Sequence, residues 1–147
     1  MIRFLSTALT VSLVLASSLR ADLKRTLAEP NLEKRSGLAM SNAKFACQNA
    51  RAAYERGDDE QVAAAVSEIQ ESVNLAYTSL KGTGKDPRRS SKWFKKAEIE
   101  MRSLLRKLES VQEMMSIDDR AILDKVKAQV ELVHDELLLG LMQGEKK

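Results

Sequence analysis

The sequence predicts an all-α protein: an up-down-up-down four-helix bundle, made of two antiparallel helical hairpins, after an N-terminal signal peptide. In four long segments, apolar residues recur every three or four positions, which is the spacing of one helix face. The segments are rich in Ala, Leu, Glu, Lys and Arg, which favour helix, and both prolines and four of the six glycines lie outside them. No segment alternates apolar and polar residues as a half-buried strand does.

The first 21 residues have the order of a secretory signal peptide. Arg3 gives a basic start, residues 4–19 carry no charge, and small residues lead up to Ala21. The apolar run is shorter than the roughly 20 residues that a membrane-spanning helix needs. Cleavage after Ala21 would leave Asp22 first, and cleavage after Ser18 is the alternative. The protein is therefore expected to be exported, either periplasmic or secreted.

The rest of the chain has the length of one domain. Residues 22–30 are expected to form a short N-terminal segment, 31–143 the four-helix domain and 144–147 a disordered tail. The predicted signal, residues 1–21, holds two of the 24 basic residues and no acid, so the mature net charge is +1 rather than +3. Cys47 is the only cysteine, so no disulfide within the chain supports the core.

The first predicted hairpin joins a helix over about residues 31–56 to one over about residues 59–80. Asn31 and Asp58 are suitable N-caps, and Gly57 ends the first helix. The many alanines of the first helix imply close approach to a neighbouring helix. Its inner stripe consists of Leu32, Ala39, Ala43, Ala46, Cys47, Ala50, Ala53 and Tyr54. That of the second helix consists of Val62, Val66, Ile69, Val73, Tyr77 and Leu80.

The second predicted hairpin follows the loop 81–90. Its first helix begins at Ser90 or Ser91, and its second helix follows Asp118 as N-cap. The inner stripe of the first consists of Trp93, Ala97, Met101, Leu104, Leu108, Val111 and Met115. The inner stripe of the second consists of Ile122, Val126, Val130, Val133, Leu137 and Leu141.

The turn of the first hairpin resembles that of tetratricopeptide repeats over residues 50–69. Both helices are longer than those of the repeat, and Asn74 stands where the repeat ends in proline. The resemblance implies a helical hairpin that serves as a surface for other proteins. The matching positions are Ala50, Ala53, Gly57, Asp58, Val62, Val66 and Ile69.

Catalytic and metal-binding residues are few, and the sequence predicts neither an enzyme nor a resident cofactor. There is one His and one Cys, and no nucleophile, base and orienting group can be recognised. Glu131 and His134 have the Glu-x-x-His spacing of carboxylate di-metal bundles, but such sites need a second Glu-x-x-His, and the chain has none. No metal site is therefore expected.

A haem site is the alternative for His134. Met40 and His134 would lie at a similar level if the first and fourth helices packed antiparallel. In this respect the chain resembles exported four-helix bundles that hold a haem between a His and a Met. His134 lies about 70° from the centre of its apolar stripe, which favours a boundary histidine without a cofactor.

The region 81–107 concentrates positive charge, with ten cations against three acids. It could bind an anionic lipid surface, whereas nucleic acid is not an expected partner of an exported protein. The alternative is a solvated face with Trp93 and Phe94 turned inward. The candidate anion-binding residues are Lys85, Arg88, Arg89, Lys92, Lys95 and Lys96.

Apolar residues also recur outside the inner stripes. Leu38 and Phe45 are seven residues apart on the first helix, as are Leu132 and Leu139 on the fourth. Exposed apolar patches mark interfaces, although Leu23 and Leu27 of the N-terminal segment could cover part of this surface. The leading expectation is a non-enzymatic protein-interaction or structural module that binds a protein partner or self-associates.

Overall fold

A computed structural model of the protein describes residues 22–143, which form five helices and no strand. The signal peptide predicted over 1–21 and the tail predicted over 144–147 lie outside the described residues. The helices are α1 over residues 22–28, α2 Leu32–Glu55, α3 Asp59–Gly82, α4 Ser91–Met114 and α5 Ala121–Gln143.

Two of the predicted N-caps are confirmed. The side chain of Asn31 accepts a hydrogen bond from the Lys34 N–H, and that of Asp58 accepts one from the Gln61 N–H. Each bond satisfies one of the backbone donors that a helix start leaves without a partner. Gly57 has a φ of 70°, a left-handed conformation that lets the chain reverse from α2 into α3.

The four long helices pack in adjacent pairs around one core. α2 packs most extensively on α3, and α4 on α5; α2 also contacts α4, and α3 contacts α5. α2 and α5 have no Cα atoms within 8 Å of each other, so they are not neighbours in this packing. The extensive α2–α3 contact follows from the buried alanines of α2, because small side chains let two helix backbones come close. These alanines are Ala39, Ala43, Ala46, Ala50 and Ala53.

The core is built largely from the predicted stripes. Leu104 of α4 and Val126 of α5 are fully buried, as the helical spacing predicts. Burying such a side chain contributes about 1.5–3 kcal/mol relative to leaving it in water. Cys47 is also buried, on the apolar face of α2 where the sequence places it.

The sequence-based assignment is wrong at the start of α5. Ile122 was expected in the inner stripe but is exposed, and Leu123 is fully buried in its place. α5 begins at Ala121 rather than directly after Asp118, because residues 117–120 form turns. The Ser116 hydroxyl donates to the Asp119 carboxylate at 2.7 Å within this connection.

A second difference lies at the start of α4, where Trp93 is half-buried and Phe94 is buried. Trp93 was expected in the inner stripe. It packs instead at the edge of the core, near Gly37 of α2.

The two ends of the bundle differ in charge. At one end, Lys85 of the α3–α4 loop pairs with Glu33 at the start of α2, and Pro87 packs on Gly140 near the end of α5. This end is basic, because most cations of the run 81–96 lie there. At the other end, Tyr54 of α2 meets the α4–α5 connection by donating to Asp119. Acidic residues predominate there, among them Glu55, Asp58, Asp59, Glu60, Asp118 and Asp119.

Candidate functional site

The outer side of α5 carries large apolar side chains. Leu132 is 60% exposed, Leu139 53% and Met142 69%, and Leu138 is exposed beside them. At about 100° per residue, Leu132 and Leu139 lie opposite the buried stripe of α5. These four residues are called the α5 face below, and nothing within residues 22–143 covers them.

The outer side of α2 carries a second, smaller apolar set. Leu38 is 46% exposed and Phe45 is 48% exposed, while Ala52, seven residues further on, is half-buried. The described N-terminal segment does not bury this set, and its own Leu27 is exposed. Because α2 and α5 are not neighbours in this packing, the apolar sets on their outer sides are separate surfaces.

His134 lies on the side of α5 that faces α4. Its Nε2 is 2.9 Å from Glu98 Oε1, and its Nδ1 is 3.2 Å from Asp135 Oδ1. The other Glu98 oxygen accepts from Arg102 Nη2 at 2.9 Å. Glu98 is buried, and burying a carboxylate is costly unless it is paired. His134 and Arg102 therefore serve as the partners that allow Glu98 to pack between α4 and α5.

Met40, the other residue of the haem hypothesis, lies on the side of α2 that faces α4. It is buried on α2 and lines a cleft between α2 and α4, together with Ser36, Trp93 and Glu100. The structure therefore places the two residues of the haem hypothesis on helices that have no Cα atoms within 8 Å of each other, whereas the hypothesis had them packed side by side. Among the described residues, no three His, Cys, Asp or Glu side chains are grouped so that they could hold a metal ion.

Several of the candidate anion-binding cations have partners within the fold. Lys85 pairs with Glu33 at 2.6 Å, and Arg89 lies 3.9 Å from Asp86. The amino groups of two further lysines lie over the Trp93 ring, at 5.6 and 5.2 Å from its centroid, within the range of a cation–π interaction. These lysines are Lys92 and Lys96.

The side chains of the remaining two candidates, Arg88 and Lys95, are exposed and make no ion pair among the described residues, although the Arg88 backbone N–H donates to Asp86 Oδ1 at 2.9 Å. They lie near the start of α4, whose first turn contains no acid and whose N-cap, Ser90, makes no side-chain capping bond. Positive side chains at a helix start oppose the helix dipole, and a bound anion would relieve this repulsion.

Two ionisable groups have shifted pKa values. Burial raises the pKa of the Cys47 thiol to about 11, so the thiol stays protonated and unreactive at neutral pH. Hydrogen bonds from Ser116 and Tyr54 lower the pKa of the Asp119 carboxyl. Both shifts follow from packing and turn structure.

Sequence reasoning did not identify the buried polar contact between α2 and α3. Asn42 Nδ2 donates to Glu68 Oε1 at 2.8 Å and to Ser72 Oγ at 2.7 Å, and all three residues are buried. The available signal was position: Asn42 falls between Ala39 and Ala46 at helical spacing. Glu98 was missed in the same way, although it falls between Phe94 and Met101 at helical spacing.

In comparisons with known proteins, the chain matches no protein-family model and no curated protein. Within residues 22–143, none of the helices combines the length and the apolar character that crossing a membrane requires.

Proposed function

We propose that the protein is an exported, non-enzymatic module that acts by binding another protein. In this proposal the four long helices form an up-down-up-down bundle, and the α5 face is the main docking surface. The single observation that supports it best is the exposure of Leu132, Leu138, Leu139 and Met142 on one helix.

The α5 face would gain free energy from being covered. Each large apolar side chain that moves from water into a packed interface contributes about 1.5–3 kcal/mol when it is fully buried. Grouped apolar residues with a polar rim are typical of interaction sites. Asp135 lies within the α5 face, between Leu132 and Leu139, and its side chain is 76% exposed. The partner that fits this face therefore has an apolar surface that also carries a lysine or arginine.

The test compares what the protein captures from the native cell envelope. We expect the double variant Leu132→Glu/Leu139→Glu to lose a partner that the parent chain retains, as quantified by mass spectrometry. Ile99→Glu is the matched control, because Ile99 is an exposed apolar residue of α4, away from the α5 face. Circular dichroism of all three proteins checks that the fold is intact. Identical captured sets for the parent and the double variant would contradict the proposal.

The proposal that the protein is exported rests on the signal-peptide pattern of residues 1–21. We expect N-terminal sequencing of the protein from an envelope fraction to begin at Asp22, or at Leu19 if cleavage follows Ser18. A cytoplasmic pool that begins at Met1 and no processed form would contradict export.

A second candidate function is binding to an anionic surface through the basic end of the bundle. The absence of any acid in the first turn of α4, beside Arg88 and Lys95, favours it. Vesicles containing anionic lipid should then bind the protein in a salt-sensitive way, and neutral vesicles should not. The variant Arg88→Glu/Lys95→Glu should lose this binding. Equal binding to both kinds of vesicle would contradict the anionic-surface function.

A further inference from the structure

We propose that the outer side of α2 binds the same surface of a second copy of the chain, antiparallel, about a twofold axis that passes by Phe45. This extends the proposed function: it rests on the outer apolar sets being binding surfaces, and it names a second copy as the occupant of the α2 set. The α5 face stays available to another partner.

The centre of this surface is an apolar row that is symmetric about Phe45. Leu38 lies seven residues before Phe45, and Ala52 lies seven residues after it. In an antiparallel pair centred at Phe45, the large Leu38 of each copy therefore meets the small Ala52 of the other. Steps of seven residues keep such a row on one side of a helix, as in a coiled coil.

The residues between and beyond this row are also complementary. Ser41 and Gln48, exposed and polar, lie on either side of Phe45 and come opposite each other in the antiparallel pair. Lys34 lies 11 residues before Phe45 and Glu55 lies 10 residues after it, so each copy's lysine comes within one residue, about 1.5 Å along the helix, of the level of the other's glutamate.

Charge selects the antiparallel direction. A parallel pair would place Lys34 beside Lys34 and Glu55 beside Glu55, and like charges repel. A parallel pair would also place the basic ends of the two bundles side by side, whereas the antiparallel pair places the basic end of each copy beside the acidic end of the other. Glu55 already makes an exposed pair with Arg51 at 3.3 Å, and this pair leaves its side chain 57% exposed.

The outer side of α5 is not complementary to itself in the same way. An antiparallel pair that matched Leu132 with Leu139 would place Asp135 of each copy against Glu136 of the other, and like charges repel. A parallel pair would place Asp135 beside Asp135. The second copy is therefore assigned to α2 rather than to α5.

The association is expected to be weak. It joins one helix to one helix, and stable interfaces usually bury about 1,200–2,000 Å² in total. We therefore expect a monomer–dimer equilibrium that depends on concentration in the micromolar range or above, rather than a permanent dimer.

Sedimentation equilibrium of the full chain over a range of concentrations tests the proposal. Phe45→Glu should weaken dimerisation by at least about tenfold, because two carboxylates would meet at the twofold axis. Ile99→Glu, an equally drastic change on another helix, should leave dimerisation unchanged. Since Phe45 is exposed in the monomer, the helix content of both variants should match that of the parent.

Charge reversal tests the direction of pairing. Lys34→Glu alone and Glu55→Lys alone should each weaken the dimer about two- to thirtyfold, since each removes two exposed ion pairs and adds repulsion. The double variant Lys34→Glu/Glu55→Lys should recover most of the affinity, because the pairs are then restored with their signs exchanged. A parallel dimer would show no such recovery.

Three results would overturn the inference. They are a parent chain that stays monomeric at every concentration, a dimer that Phe45→Glu does not weaken, and a double charge variant no better than the two single ones. Loss of dimerisation by Leu139→Glu in place of Phe45→Glu would likewise assign the second copy to α5. The first three results leave the envelope capture test of the α5 face unaffected, so failure of the dimer and failure of the proposed function are distinguishable.

Discussion

Asn42 provides a quantitative test of how α2 and α3 are held together. Its amide donates to the buried Glu68 at 2.8 Å and to the buried Ser72 at 2.7 Å. A hydrogen bond to a charged group contributes about 1.5–3 kcal/mol and one to a neutral group about 0.5–1.5 kcal/mol. We therefore expect Asn42→Ala to lower the free energy of unfolding by about 2–4.5 kcal/mol, and Ser72→Ala by about 0.5–1.5 kcal/mol.

Urea denaturation followed by circular dichroism measures both changes, provided that the slope of the transition is the same in all proteins. Asn74→Ala is the matched control, since Asn74 is exposed on α3 and should change stability by less than about 0.5 kcal/mol. The reasoning is refuted if Asn42→Ala and Asn74→Ala have the same midpoint of unfolding. That result would mean that the buried amide makes no net contribution to the α2–α3 contact.

Three further predictions concern the core, the thiol and the cofactor. Leu104→Ala should destabilise the fold by about 2–5 kcal/mol, because Leu104 is fully buried, and an unchanged thermal midpoint would contradict its placement. With the pKa of Cys47 raised to about 11, a thiol reagent at pH 8 should react roughly a hundredfold more slowly with the folded than with the unfolded protein, and equal rates would contradict the burial. Natively purified protein should show no Soret absorption, whereas a haem band abolished by His134→Ala would support the haem alternative instead.

Much of the core could be predicted from the sequence, because helical spacing assigns a face to each residue whatever the neighbouring helix is. Met101, Leu104 and Val126 are fully buried for this reason. The N-caps Asn31 and Asp58 were also predictable, since capping depends only on residues within one turn. The exposure of Ile122 could not be predicted, because Ile122 lies in the first turn of α5 and the exact start of that helix depends on the preceding turns.

The buried polar contacts could not be predicted from residue type. Asn42, Glu68 and Glu98 belong to residue types that are mostly exposed. Their burial depends on the partner that the neighbouring helix brings to the same level, and the sequence does not specify that register.

The sequence also singled out Leu38, Phe45, Leu132 and Leu139, and all four are exposed. Their periodicity placed them outside the inner stripes. What it could not specify is which helices lie side by side. The structure leaves α2 and α5 apart, so these residues belong to two separate surfaces, and Met40 and His134 lie on helices that are not neighbours in the packing.

Site-specific photo-crosslinking in the native cell tests most directly whether the protein acts by binding through its outer apolar surfaces. A crosslinking side chain at position 139 on the α5 face should give a discrete product with another protein. The same side chain at position 45 should give a product with the mass of two copies of the chain, and at position 99 on α4 it should give neither. Absence of any product from both 139 and 45, with the protein present and folded, would contradict a binding function.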